Sequence, residues 1–266
     1  MSISFNQKLE DICNRKNNRL CIGLDPDMAC FPTTREKNFQ SLENFIKEII
    51  SETIEFCPIY KPNFAFFERY GSKGFQILEK IKEFTDDRAL VIADAKRADI
   101  GNTASKYAYA ILDSMGYDAI TISPYMGRDS IEPFIKNKSK GAFILCLTSN
   151  PGALEIQNNN DDIIPVYQRV AKIACELNIN NNIGLVVGAT QSKLMSNLRD
   201  SSTGLPWLIP GVGVQGGNLE TSIENSNRLG IGIVNVSRSI LYAEDGSIQS
   251  IVNSALKYTK KIRSIL

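Results

Sequence analysis

Hydrophobic and polar positions along the chain repeat one phrase: a short, β-rich apolar run that closes on a polar or small residue, then a longer stretch with helical spacing. Eight such runs can be marked. Residues 20–24 close on Asp25, 57–60 on Lys61, 89–93 on Asp94 and 119–122 on Ser123. In the second half, 142–147 close on Thr148-Ser149, 183–187 on Gly188, 207–209 on Pro210-Gly211 and 231–236 on Ser237-Arg238. Runs this continuously apolar are buried on both faces, as in a parallel sheet. The intervening helices are predicted over 39–56, 72–84, 103–115, 129–136, 161–177, 192–198, 219–229 and 247–262. In the first of these, Leu42, Phe45, Ile46, Ile49, Ile50 and Ile54 share one face, a core-facing stripe. Eight strand-helix units in 266 residues fit a closed (β/α)8 TIM barrel better than an open doubly wound sheet. Residues 1–266 are expected to form one domain, with an N-terminal helical extension ahead of the first strand. Such barrels keep their active sites at the C-terminal strand ends, where this chain keeps its charged and small residues.

Composition narrows the chemistry. Thirty Lys and Arg against twenty-nine Asp and Glu give a net charge of +1, so no global field draws in nucleic acid or an anionic membrane, and any anion is held locally. There is no histidine, which excludes Ser-His-Asp and Cys-His catalysis and His-ligated zinc. Acid-base work falls to Lys, Asp, Glu, Tyr or Cys. The six cysteines form no C-x-x-C pair and read as reduced core thiols of a cytosolic protein. Residues 1–19 are polar, and no run approaches the roughly 18 apolar residues of a membrane span, so a cytoplasmic protein is expected. Asn158-Asn159-Asn160-Asp161-Asp162 reads as a surface loop beside the barrel mouth rather than a metal site.

The densest chemistry lies in Asp94-Ala95-Lys96-Arg97-Ala98-Asp99, at the end of the third run. Alternation along a strand turns Asp94 and Lys96 to the same side. Lys61, at the end of the neighbouring second strand, should stand beside them, and with Asp99 this makes two ammoniums and two carboxylates in one small volume. A lysine between carboxylates keeps its proton, which makes Lys96 a proton donor rather than a Schiff-base nucleophile. A buried ion-pair row roughly breaks even against apolar packing, so it asks for a chemical reason. Farther on, Pro210-Gly211-Val212-Gly213-Val214-Gln215-Gly216-Gly217 fits the letters of a dinucleotide fingerprint, but only one strand follows it and no acid lies about 20 residues beyond. It fits the barrel phosphate site after strands seven and eight, with Arg238 as a forked cation.

These motifs resemble the orotidine 5′-monophosphate decarboxylase family, in its longer-chain bacterial-type branch. They are Asp94-Ala-Lys96-Arg-Ala-Asp99-Ile-Gly-x-Thr103, Lys61-Pro-Asn63-x-Ala-Phe-Phe-Glu68, Ser149-Asn-Pro-Gly, Pro210-Gly-Val-Gly-x-Gln215-Gly-Gly217 and Arg238-Ser-Ile, and the resemblance runs from Asp25 to Arg238, nearly the whole barrel. The resemblance implies cofactor-free and metal-free decarboxylation of orotidine 5′-phosphate to UMP, the last step of de novo UMP synthesis. By the family pattern Lys96 protonates C6, Asp94 faces the substrate carboxylate, and Lys61 and Asp99 complete the charged row. Asp25 and Lys61 would hold the ribose, Ser149 the pyrimidine, and Gln215 and Arg238 the phosphate, with Pro210, Gly217 and Ser237 beside them. A homodimer is implied, with Asp99 and Thr103 reaching the partner's site. The chain departs from the branch pattern at Ala98, at Val214 and at Val236-Ser237. Two other functions share parts of the pattern: a Mg2+-dependent sugar-phosphate lyase of the same suprafamily, with Asp25 and Asp94 as oxygen ligands, and a non-catalytic barrel that senses a phosphorylated metabolite.

Overall fold

The computed structural model of the chain describes residues 3–158, 164–213 and 216–266. In order, its elements are α1 (Phe5–Arg15), β1 (Leu20–Leu24), α2 (Phe39–Thr53), β2 (Ile59–Pro62), α3 (Phe64–Glu68), α4 (Ser72–Thr85), β3 (Leu90–Arg97), α5 (Gly101–Ala108), β4 (Ala119–Ile122), α6 (Glu132–Ile135) and β5 (Gly141–Leu147). There follow α7 (Ala153–Ile156), α8 (Val166–Leu177), β6 (Ile183–Val187), α9 (Ser192–Ser201), β7 (Trp207–Ile209), α10 (Leu219–Asn227), β8 (Gly232–Val236), α11 (Arg238–Leu241) and α12 (Ile248–Ile265). The strands close into one barrel in sequence order, each parallel to its neighbours, with Cys21 of β1 paired to Ile59 of β2 and to Asn235 of β8. All eight apolar runs are therefore strands, and the expected TIM barrel is the fold.

The differences from the sequence reading are local. β3 runs four residues past the end of its apolar run, to Arg97, and β2 is displaced forward so that Lys61 lies within it. The helix expected over 129–136 is a 3-10 turn, Arg128–Ser130, followed by the short α6. The one expected over 103–115 starts at Gly101 and widens into a π turn over Tyr109–Ser114. The helix expected from residue 161 is described from Val166, and residues 159–163 lie outside the described set. Of the cysteines read as core thiols, Cys13, Cys21, Cys57 and Cys146 are buried, but Cys30 and Cys175 are exposed.

Two apolar layers hold the barrel. The larger packs the outer faces of the strands against the helices, with the α2 stripe of Leu42, Phe45, Ile46, Ile49 and Ile50 fully covered. The smaller fills the barrel's interior floor, and α1 supplies its plug: Phe5, Leu9, Ile12 and Cys13 pack beneath Cys21, Ile59, Ile92 and Phe143. α1 starts cleanly, because Ser4 and Gln7 form a reciprocal capping box. Phe5 meets Phe143 edge to face at 5.9 Å, and Gly141 makes room for its ring, since a Cβ there would lie 2.2 Å from Phe5 Cδ1. The polar extension expected at the N-terminus is thus a structural stopper at the N-terminal strand ends, opposite the site. Truncation of Phe5 to alanine empties a fully buried aromatic position and is expected to lower unfolding free energy by about 3–5 kcal/mol. Urea denaturation checks this; a change below about 1 kcal/mol would show that α1 is not part of the cooperative core.

Candidate active site

At the C-terminal end of β3 the ladder with β4 breaks. Ala93 pairs with Ile120 and Arg97 with Ile122, so three β3 residues, Asp94, Ala95 and Lys96, stand opposite one β4 residue, Thr121. Lys96 takes a left-handed conformation, φ +47°, which a non-glycine residue holds only when its surroundings fix it. The outcome is a tight charged cluster. Lys61 Nζ lies 2.6 Å from Asp94 Oδ2, and Lys96 Nζ lies 2.5 Å from Asp94 Oδ1. One carboxylate is thus clamped between two ammoniums, one per oxygen.

The two lysines differ in access. Lys61 is 3 % exposed, whereas the Lys96 side chain is 51 % exposed and lines a cavity of about 660 Å³ at the barrel mouth. Burial alone would raise the Asp94 pKa, but the attraction of Lys61 and Lys96 and their hydrogen bonds outweigh it and hold the carboxyl well below the usual range. For Lys61, burial pushes the pKa down, and the charges of Asp94 and Asp25 overcome it, so the ammonium is held above the usual lysine range. The site is therefore built to keep these groups ionised.

The rest of the cavity wall offers groups to a ligand. Asp25 Oδ1 and Ser237 Oγ are buried without a hydrogen-bond partner among the described residues, and both residues line the cavity. Buried polar atoms without partners are rare, and in a cavity wall they mark positions that a bound molecule satisfies. Ser149, after β5, and Pro210, after β7, also line it. Arg238, at the start of α11, is exposed into the same space and forms no ion pair among the described residues. Behind it the loop after β7 is folded on glycines: Gly211, Gly213 and Gly216 have φ of +99°, +91° and +80°. Val214 and Gln215 lie outside the described residues.

Three residues singled out from the sequence are elsewhere. Gly217 does not line the cavity; its N–H donates to the Gly211 carbonyl, and a Cβ there would meet Ala189 Cβ at 2.4 Å, so it is packed at the loop's base. Asp99 does not join Lys61, Asp94 and Lys96 in one volume. β3 has ended at Arg97, the following turn carries Asp99 away, and its Oδ1 accepts the Ile100 N–H. Thr103 is exposed on the first turn of α5. The charged row of one chain thus has three members rather than four.

Sequence reasoning also missed cavity residues. Thr121 is invisible within Ala119-Ile120-Thr121-Ile122 because threonine is an ordinary strand former. Asn235 had a usable signal, since an asparagine inside the apolar run of β8 is unfavourable without a polar neighbour, and it does line the cavity. Gln157 sits on the wall and its Oε1 accepts the Thr148 N–H at 2.8 Å, a contact across nine residues that follows no helical or strand period.

A family profile described as Orotidine 5′-phosphate decarboxylase / HUMPS family matches residues 18–249. The chain belongs to this family. The match spans every cavity residue named above, from Asp25 to Arg238. Among curated members, the orotidine 5′-phosphate decarboxylase of Dehalococcoides mccartyi is 47 % identical over 251 residues, covering 92 % of this chain and 91 % of that protein. That of Flavobacterium johnsoniae is 36 % identical, covering 98 % and 97 %. Among solved structures, the Leishmania donovani OMP decarboxylase superposes with a TM-score of 0.86 at 34 % identity, covering 99 % of this chain and 98 % of that one.

Proposed function

We propose that this chain decarboxylates orotidine 5′-phosphate to UMP and CO2, as the last step of UMP synthesis, with Lys96 as the acid. The observation that carries the reading is the clamp at the cavity wall: Asp94 held between a buried Lys61 and an accessible Lys96. Substrate would bind with its carboxylate against Asp94 and C6 near Lys96. As the bond from C6 to the carboxylate breaks, its electron pair remains on C6 and CO2 leaves. An ammonium already fixed beside that carbon stabilises the developing carbanion without reorganising, then transfers its proton to C6. Solvent returns a proton to Lys96, and no electrons are exchanged with a cofactor.

The other roles follow the wall. Asp25 and Lys61 hold the ribose hydroxyls, Ser149 the pyrimidine, and Gln215 and Arg238 the phosphate, with Pro210 and Ser237 beside them on the wall and Gly217 packing the base of the loop after β7. Asp99 and Thr103 serve the partner's site in a homodimer, which gives a reason for their lying outside the cavity of their own chain. Residues 1–266 act as one domain, since α1 plugs the same barrel that α12 packs against. No described helix is long and apolar enough to cross a membrane, and a cytoplasmic location is proposed with the biosynthetic role.

A Mg2+-dependent lyase would want Asp94 as an oxygen ligand, yet both Asp94 oxygens are on ammonium groups, and a dication would be placed beside two cations. The test is loss of absorbance on mixing purified protein with orotidine 5′-phosphate in excess EDTA. Turnover in EDTA is expected. Turnover of a keto-sugar phosphate that needs added Mg2+, with none of the nucleotide, would move the assignment to the lyases; phosphate-ligand binding without turnover of either would favour a sensor.

Arg238→Ala is expected to weaken UMP by about 10- to 100-fold, the value of a charge-assisted hydrogen bond, and to leave uridine unchanged. Equal losses for nucleotide and nucleoside in a titration would sink the phosphate role.

A further inference from the structure

Three residues of β3 against one of β4 leave a gap in the backbone ladder at the place where the reaction's groups are mounted. The side chain of Thr121 fills it. Thr121 is 1 % exposed, and its hydroxyl accepts the Lys96 N–H at 3.0 Å while donating to Asp94 Oδ1 at 3.2 Å. Asp94 Oδ1 is the same oxygen that the Lys96 ammonium contacts. One hydroxyl therefore ties the backbone of Lys96 and the carboxylate of Asp94 together, across a bulge whose left-handed residue is Lys96 itself.

A valine in this place would keep the shape and the strand, and would leave the Lys96 N–H unpaired. The left-handed conformation would then lose the side chain that holds it, and the ammonium would lose its fixed start point four carbons away. Errors of about 1 Å in the seat of a reacting group can cost about 100-fold in rate.

We propose that Thr121 is a positioning residue for the reaction, latching the bulge in β3 so that the Lys96 ammonium and the Asp94 carboxylate stand ready before substrate arrives. The proposal rests on the decarboxylase reading for its substrate, but its geometry belongs to this chain. Thr121 acts through Lys96 and Asp94, with no proton of its own transferred to the substrate.

The experiment compares wild type, Thr121→Val and Thr121→Ser with orotidine 5′-phosphate, alongside titration with UMP, which lacks the carboxylate. Thr121→Val is expected to lower kcat by about 10- to 100-fold while UMP affinity stays within about threefold. Thr121→Ser, which keeps the hydroxyl, is expected to recover kcat to within about threefold of wild type. Should the valine protein not fold, Thr121→Cys, similar in size with a poor acceptor, carries the same expectation. Wild-type kcat in the valine or cysteine variant overturns the proposal, as does a loss that serine does not recover, or one found equally in UMP affinity. An inactive wild type would instead count against the decarboxylase reading, so the two failures are told apart.

Discussion

Replacing Lys96 by alanine is expected to lower kcat for orotidine 5′-phosphate by about 10,000-fold or more, with UMP affinity changed only a few-fold. Two effects are removed together. A preorganised charge at the carbon that becomes negative is worth about 100- to 1,000-fold, and a positioned general acid about 100- to 10,000-fold. Binding should survive because the remaining cluster is intact: Asp94 keeps its 2.6 Å contact to Lys61, and Arg238 and the cavity wall are untouched. Steady-state turnover and calorimetric titration with UMP check the two halves separately. Turnover near wild type would remove Lys96 as the acid, and equal loss of binding would make its role one of affinity.

Asp94→Asn is expected to destabilise the fold by about 3–5 kcal/mol, because it leaves the buried Lys61 without its counter-ion. The effect depends on pH in a direction that the cluster fixes. Asp94 has a folded pKa below its unfolded value of about 3.9, so the folded state gives up that proton more readily. Its contribution is present above that unfolded value and is lost as pH falls through the depressed folded value. Lys61 has a folded pKa above its unfolded value of about 10.4, so its contribution is present below that and lost as pH rises through the raised folded value. Across about pH 5 to 9 the contribution of the pair to wild-type stability should therefore be flat, and the difference between wild type and variant should narrow in acid. Urea unfolding at pH 7 and pH 3 checks this; a difference as large at pH 3 as at pH 7 would show that the Asp94 charge is not what stabilises Lys61.

The barrel was legible because strands buried on both faces leave no polar positions to confuse their limits, and all eight runs became strands. Short helices were not: α3, α7 and α11 have five, four and four residues, too few to show a 3.6-residue period. Strand alternation correctly brought Asp94 and Lys96 together, yet by the wrong means. They meet across a bulge with Lys96 in a left-handed conformation, which no letter in the sequence announces. Asp99 is the opposite case: three residues beyond Lys96 it is expected in the same small volume, but the strand stops two residues earlier and the turn carries its side chain out of the cavity. Thr121 was hidden by its own suitability for a strand, and its importance comes from a gap in the ladder of its neighbour.

The identity of the acid is tested most directly by following UMP formation by NMR in D2O with excess EDTA, for wild type and Lys96→Ala side by side. UMP carrying deuterium at C6 should accumulate with stoichiometric CO2 in the wild type and be absent on the same timescale in the variant. Deuterated UMP formed by Lys96→Ala at the wild-type rate would contradict the role given to Lys96, whatever the rest of the site does.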